Sequence, residues 1–375
     1  MWSVMGDGQN HSARNGPPGS AVGGGAGGDR PNVTILGLGQ MGLVCAAMLT
    51  DADRQSKSLL MRPRVTMWGH SAEEAGRVAQ SRRSERLSEV KLDDTVRVAM
   101  RDADAVRDAE IIVSAIPVQY CRSVWERLGP MIPRGAGVIS VAKGIENGTL
   151  LRPTQIIAEV LRDNPDGRPR AMAALSGPTI AAELARCLPA TMIAAGDDEA
   201  FRLRVQQLFA TRWMRIYTTH DLIGVELAGA MKNVIAIAAG ILDGLQAGCN
   251  AKSALLARGL AEIARLGTAM GASQDTFFGV AGAGDLATSC FSPEGRNRSL
   301  GEALGRGRKL DEYLATVNSV VEGVATTKSV MDLARKYRVD MPITQAVNAV
   351  LFGGLDPIEA IGQLMTREPK AERVG

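Results

Sequence analysis

Six residues constrain this chain more than any others: Gly37-Leu38-Gly39-Gln40-Met41-Gly42, set between the β-branched run Val33-Thr34-Ile35-Leu36 and an apolar stretch over 43–49. Strand, glycine turn and helix in that order form the setting in which G-x-G-x-x-G carries meaning. Gly37 permits the tight turn, and Gly39 lets a pyrophosphate approach the backbone. Gly42 lets the helix pack close to the strand, and the helix N-terminus faces the phosphates. The segment therefore predicts a dinucleotide site at the start of a parallel sheet.

Further strand signals follow at the spacing of an α/β domain. Val65-Thr66-Met67-Trp68 reads as the second strand, reached late, after an extension through Arg54, Lys57, Arg62 and Arg64. Runs at 109–116, 137–142, 171–175 and 191–195 complete the expected set. Ligands of such sheets lie beyond the carboxyl ends of the strands. That draws attention to Ile116-Pro117, Lys143-Gly144-Ile145-Glu146 and Ser176-Gly177-Pro178-Thr179. An NAD-selective site places Asp or Glu at the end of the second strand to hold the ribose. Here that end reads Gly69-His70-Ser71 and the first acid is Glu73. NADP is therefore accepted as well as NAD, NADPH is favoured, and His70 faces either the 2′-phosphate or solvent.

From about Asp221 the strand signal stops, and helical patterns run over 222–242, 253–270, 300–304, 326–337 and 344–352. The expected architecture is an N-terminal Rossmann-like doubly wound sheet over 31–219, followed by an all-helical C-terminal domain over 220–375 that binds the substrate. A length of 375 residues with 45% hydrophobic content supports two such cores. Residues 1–30 are Gly-rich and poor in apolar side chains. They lack a basic start and an apolar centre, so they read as a disordered tail and not as a signal peptide.

Composition excludes other classes. A net charge of +3 with 22% charged residues gives no clustered basic excess, so no nucleic-acid partner is expected. No long uncharged apolar run predicts a membrane span. The five cysteines are widely spaced without a C-x-x-C pair, which fits free thiols in a cytoplasmic protein, with no disulfide framework and no metal site.

Lys232 stands in the middle of the most apolar helix, in Ala230-Met231-Lys232-Asn233-Val234. A lysine there either snorkels to water or is buried with a partner and a lowered pKa, and the second case makes a general acid/base. The three histidines, His11, His70 and His220, offer few alternatives for moving a proton. Gly282-Ala283-Gly284-Asp285-Leu286-Ala287-Thr288 follows, then Ser292-Pro293-Glu294-Gly295-Arg296-Asn297-Arg298, which begins a helix. A helix N-terminus with two arginines and an asparagine suits a phosphate, and equally reads as a basic solvated turn.

On these residues the chain from about 32 to 371 resembles the bacterial-type NAD(P)-dependent glycerol-3-phosphate dehydrogenases. The resemblance takes in the glycine turn, Val65 to His70, Lys143-Gly144-Ile145-Glu146, Ser176-Gly177-Pro178-Thr179 and Gly224-Val225-Glu226-Leu227. It continues through Lys232-Asn233-Val234-Ile235-Ala236-Ile237-Ala238-Ala239-Gly240, Gly284-Asp285-Leu286, Arg296-Asn297-Arg298 and Val321-Glu322-Gly323. It implies hydride transfer between the nicotinamide and substrate C2, with Lys232 exchanging the C2 hydroxyl proton and Lys143 touching both cofactor and substrate. It further implies that Gly177, Thr179, Asp285, Gly295, Arg296 and Asn297 contact the substrate, the last two around its phosphate. Gly37, Gly39, Gln40, Met41, Gly42, His70, Lys143, Ala181, Arg296, Val320 and Glu322 are implied on the cofactor side. A homodimer joined through the helical domain and a place in glycerophospholipid synthesis are also implied.

Three positions depart from the family pattern. Met41 stands where an aromatic residue is usual, Gly295 replaces a serine, and Arg86-Leu87-Ser88-Glu89 replaces a Tyr-Leu-Pro-Gly-like segment. Two other classes share the domain plan: a related reductase such as a ketopantoate reductase or another 2-hydroxyacid dehydrogenase, and a silent NADP(H)-binding regulator. The first has no need of Arg296-Asn297, and the second no need of Lys143 and Lys232.

Overall fold

The β-branched run forms the first strand of an eight-stranded sheet in the computed structural model, which describes residues 30–51, 62–162, 170–317, 319–368 and 371. The expectation for the tail falls, but for Arg30, outside the described residues, as do Arg54 and Lys57. The strands are β1 (Asn32–Leu36), β2 (Arg64–Trp68), β3 (Arg97–Ala99), β4 (Ile111–Ser114), β5 (Gly137–Ser140), β6 (Met172–Ser176), β7 (Ala190–Ala195) and β8 (Met214–Thr219). Their order is β3-β2-β1-β4-β5-β6-β7-β8. The first six run parallel, with the strand order that reverses between β1 and β4 and opens a ligand crevice there.

Two features differ from the sequence expectation. The sheet holds β3 and β8 besides the six expected strands, and β7 runs antiparallel to β6. The short β3 is an edge strand of three residues, too brief to show a period. The other edge, β8, alternates buried Met214 and Ile216 with outward Arg215 and Tyr217, a half-exposed pattern that the apolar-run criterion passes over.

Helices cover both faces: α1 (Gln40–Thr50), α2 (Ala72–Ser81), α3 (Asp102–Val106), α4 (Val118–Leu128), α5 (Pro153–Leu161), α6 (Ala181–Ala185) and α7 (Glu199–Phe209). The central strand β4 is buried on both sides, which is why it reads as an unbroken apolar run. Ile111 and Val113 join the α1 and α7 side with Leu43, Met48 and Phe209. Ile112 joins the α4 and α5 side with Trp125, Leu128 and Ile156.

After Thr219 the chain is helical: α8 (Leu222–Gly244), α9 (Gly248–Ala269), α10 (Gln274–Phe278), α11 (Asp285–Phe291), α12 (Arg296–Gly305), α13 (Leu310–Leu314), α14 (Glu322–Tyr337), α15 (Pro342–Phe352) and α16 (Pro357–Met365). The organising element is α8. It is the one described helix long and apolar enough to cross a membrane, yet 83% of its most apolar window is buried inside the protein. Leu227, Met231, Val234, Ile237 and Ile241 form the centre of the second core with Leu266, Phe277, Leu300 and Val330.

Against α8 lies α12, at backbone contact. Gly240 and Gly244 of α8 face Gly301 and Gly305 of α12, and a Cβ added at Gly305 would stand 2.5 Å from the Ile241 carbonyl oxygen. A Cβ at Gly240 would run into the Arg298 carbonyl. This crossing carries the first residues of α12 up to the polar part of α8. Overpacking of this kind costs about 1–3 kcal/mol, so Gly240→Ala is expected to lower Tm by several degrees. Gly362, exposed in α16 with open space around it, is the control. There the same change replaces a poor helix former and should raise Tm slightly. Equal Tm shifts at the two positions would show that the crossing tolerates a side chain.

Candidate active site

The crevice between β1 and β4 has the shape a dinucleotide requires. Gly37 has φ +121°, and a Cβ on it would stand 2.7 Å from the Ala115 carbonyl oxygen, so no other residue makes this turn without strain. Its amide donates to the Trp68 carbonyl at 2.8 Å, joining the turn to the end of β2. Gly39 caps α1 without a side chain, leaving the first-turn amides unfilled, and a Cβ there would meet nothing within 4 Å. Open space over unsatisfied helix amides fits a pyrophosphate.

Gln40 opens α1, and its side chain is turned away to a neighbouring loop. Its side-chain amide donates to the Arg86 carbonyl at 3.0 Å, within the segment that departs from the family pattern. Met41 is partly buried against the sheet core. Beyond β2, His70 is exposed and lies edge-on to Trp68, with ring centroids 6.4 Å apart. Trp68 Nε1 donates to Asp102 at 3.0 Å, and Arg127 holds the same carboxylate at 2.6 and 2.8 Å. A Cβ on Gly69 would stand 2.5 Å from Leu38 Cδ1, the tip of a side chain, so a substitution there requires Leu38 to shift.

At the carboxyl ends of β5 and β6 the chain meets α8 and α11. Lys143 follows β5 and donates to the Gly177 carbonyl at 3.0 Å, to Asp285 Oδ2 at 2.6 Å and to Thr179 Oγ1 at 3.5 Å. Lys232 comes from the middle of α8 and donates to Asp285 Oδ1 and, at 2.7 Å, to Ser289 Oγ. One carboxylate, 1% exposed, thus binds two ammonium groups, and Lys232 itself is 7% exposed. Burial pushes the Lys232 pKa down, Asp285 pulls it back up, and neighbouring Lys143 lowers it again, leaving it at about 8. The lysine that the sequence placed on an apolar helix does not snorkel; it is buried with a partner.

A third group gathers where α12 and α14 begin. Gly295 caps α12 without a side chain, so the first-turn amides of that helix are open as well. Arg296 is exposed at its first position and enters no hydrogen bond or ion pair among the described residues. Arg298 differs. It donates to Asp243 at 2.6 Å, a carboxylate that Lys252 also holds at 2.7 and 2.8 Å. Of the two arginines expected to serve an anion, one is committed to packing α12 on α8. The segment is therefore divided, with Arg298 tied to α8 and Arg296 left exposed.

Asn297 Oδ1 accepts the Gly323 amide at 2.9 Å, linking α12 to α14. Glu322 accepts from Asn233 Nδ2 at 3.5 Å, and burial lifts its carboxyl above the ordinary value against the pull of Arg296, Lys143 and Lys232. These charges therefore act on one another. Val320 is exposed just before α14, and Ala181 opens α6 beside the Gly177–Thr179 loop.

Two residues of this cluster escaped the reading of the sequence. Ser289 had a signal: it lies four positions after Asp285, on the same face of α11. Asn233 had one as well, a polar residue beside Lys232 on the apolar helix, but its pairing with Glu322, 89 positions away, had none.

A dinucleotide crevice and a paired-lysine site at the carboxyl edge of one sheet define a nicotinamide-dependent oxidoreductase. Comparison with known proteins fixes the family. Residues 32–202 match the NAD-dependent glycerol-3-phosphate dehydrogenase N-terminus and residues 221–362 its C-terminus. A glycerol-3-phosphate dehydrogenase of Lactobacillus delbrueckii subsp. bulgaricus is 40% identical over 91% of this chain and 98% of its own length. One from Chlorobium limicola is 42% identical over 91% and 99%. The crystal structure of the Coxiella burnetii glycerol-3-phosphate dehydrogenase superposes with a TM-score of 0.83 at 30% identity, covering 90% of this chain and 99% of that one. The chain belongs to the NAD(P)-dependent glycerol-3-phosphate dehydrogenase family.

Proposed function

We propose that this chain interconverts dihydroxyacetone phosphate and sn-glycerol 3-phosphate, with residues 31–219 holding the cofactor and 220–375 the substrate. The observation that carries the chemistry is the buried Lys232–Asp285–Lys143 group, set in the same field as the uncommitted Arg296. When bound, NADPH supplies a hydride to substrate C2. Lys232 supplies the proton to the C2 oxygen in reduction and takes it back in oxidation. Asp285 keeps both ammonium groups in place, and Lys143, tied to the Gly177 carbonyl, adds positive charge where an alkoxide develops. Arg296 and Asn297 hold the phosphate at the start of α12, where open amides add to the guanidinium. A ketopantoate-type substrate has no use for that corner. Gly37, Gly39, Gln40, Met41 and Gly42 hold the pyrophosphate, with Ala181, Val320 and Glu322 nearer the nicotinamide.

NADPH is the favoured cofactor in this reading. No carboxylate follows β2 until Glu73, and Asp102, the acid behind Trp68, is neutralised by Arg127. A carboxylate at Gly69 would press on Leu38, so His70→Asp, at an exposed position, is the cleaner change. It should move the NADPH:NADH preference at least tenfold towards NADH by adding repulsion to the 2′-phosphate. An unchanged ratio would take His70 away from the ribose. The reading as a whole is tested by reduction of dihydroxyacetone phosphate, dihydroxyacetone and ketopantoate with each cofactor. Only the phosphorylated ketone should be a good substrate.

A homodimer through the helical domain is part of the proposal. It is supported by the apolar side chains that α15 and α16 leave outside, Phe352, Ile358 and Met365. So is a cytoplasmic supply of sn-glycerol 3-phosphate for glycerophospholipids, in keeping with five free thiols.

A further inference from the structure

The side chain of Asn297 has two chemically different ends, and the fold decides which one faces the ligand. Only its oxygen can accept the Gly323 amide, so the 2.9 Å contact fixes the orientation of the whole group. The Gly323 amide is an orphan donor in the first turn of α14, and the cap residue of that helix, Val321, contributes no side-chain bond. Asn297 therefore caps α14 from another helix. Its Nδ2 is left as a pair of donors with no acceptor among the described residues, one position from Arg296.

Gly323 leaves no room for any other arrangement. A Cβ there would stand 2.6 Å from Asn297 Oδ1, 2.8 Å from Ile237 Cδ1 and 2.9 Å from the Asn233 carbonyl oxygen. Ile237 and Asn233 are buried on α8, and the Asn233 oxygen belongs to the backbone, whereas Asn297 is only partly buried. A side chain at 323 therefore presses first and hardest on Asn297.

We infer that Gly323 is a positioning residue for the substrate phosphate: its amide holds Asn297 donor-outward, and its lack of a side chain keeps Asn297 beside Arg296. An anion that only accepts hydrogen bonds is then preferred over a hydroxyl, which needs an acceptor as well. Gly323 thus helps the enzyme separate a phosphorylated ketone from its unphosphorylated counterpart. This rests on the reading of Arg296 and Asn297 as the phosphate corner.

The test compares Gly323→Ala with wild type on dihydroxyacetone phosphate and on dihydroxyacetone, with thermal shifts caused by inorganic phosphate as a readout free of turnover. The expected result is a rise of at least tenfold in KM for the phosphorylated ketone and a phosphate-induced Tm shift cut by half or more. kcat should stay within about threefold, and kcat/KM for dihydroxyacetone within about twofold. Equal losses on both substrates, or an unchanged KM for dihydroxyacetone phosphate, overturns the inference. Asn297→Asp keeps the acceptor for Gly323 and exchanges the donors for negative charge, so it serves if the alanine variant does not fold. It should melt within about 2 °C of wild type and lose at least a hundredfold in kcat/KM on dihydroxyacetone phosphate alone. A variant that keeps that activity, or loses it together with fold stability, counts against the inference. If wild type itself shows no preference for the phosphorylated ketone, the underlying phosphate reading fails first, and the Gly323 inference falls with it.

Discussion

Replacing Lys232 with alanine is expected to lower turnover on dihydroxyacetone phosphate by a hundredfold or more, about the lower end of what a positioned acid/base supplies, with cofactor affinity nearly unchanged. Lys232 lies on α8 and has its hydrogen bonds with Asp285 and Ser289, so in the proposed mechanism NADPH binding at the glycine turn does not draw on it. What the variant lacks is a proton held against the C2 oxygen as the hydride arrives. Water is a poor replacement where the whole residue is 7% exposed. Lys143 is near enough to lower the Lys232 pKa, yet its three contacts hold it on the Gly177 side of Asp285. Steady-state rates with tritiated or fluorescent NADPH binding measured in parallel decide the matter. A variant that turns over within a few-fold of wild type would remove Lys232 from the chemistry.

Asp285→Asn carries the second large effect, and it acts on charge and not on shape. The carboxylate gives one oxygen to each lysine. An amide of the same size can turn its oxygen to only one of them and must offer N–H donors to the other. Leaving a buried charge without its partner costs about 3–5 kcal/mol. Lys232 escapes much of that cost by giving up its proton, because the counter-ion that raised its pKa is gone. The variant should therefore hold Lys232 neutral at pH 7 and reduce dihydroxyacetone phosphate at least a hundredfold more slowly, while oxidation of sn-glycerol 3-phosphate at alkaline pH is less affected. Equal losses in both directions across the pH range would mean that Asp285 serves substrate binding alone and not the charge of Lys232.

What the sequence disclosed and what it withheld follow a physical line. The glycine turn was legible because a backbone with φ +121° pressed against Ala115 admits only glycine. Lys232 was legible because a charge in the middle of an apolar helix calls for a reason. Strands buried on both faces announced themselves as apolar runs, while β8, buried on one face only, did not. Arg298 was misjudged for a different reason. Its neighbours in the chain suggested an anion site, but its partner Asp243 lies 55 positions earlier and reaches it only through the glycine crossing of α8 and α12. The same holds for the bond between Asn297 and Gly323. Pairings between distant segments depend on how helices cross, and the local pattern carries no trace of them.

On the proposed mechanism the proton of this reaction resides on Lys232, whose pKa burial brings down to about 8. Initial-rate kcat/KM for both directions, measured between about pH 7 and 10, is the deciding measurement, since that ratio reports the ionisations of the free enzyme. Reduction needs the ammonium form, so its rate should be level below about pH 8 and fall by about tenfold per pH unit above it. Oxidation needs the neutral amine and should rise to the same point and then level off. A reduction profile that stays flat through this range would contradict the account, because the proton would then come from a group other than Lys232.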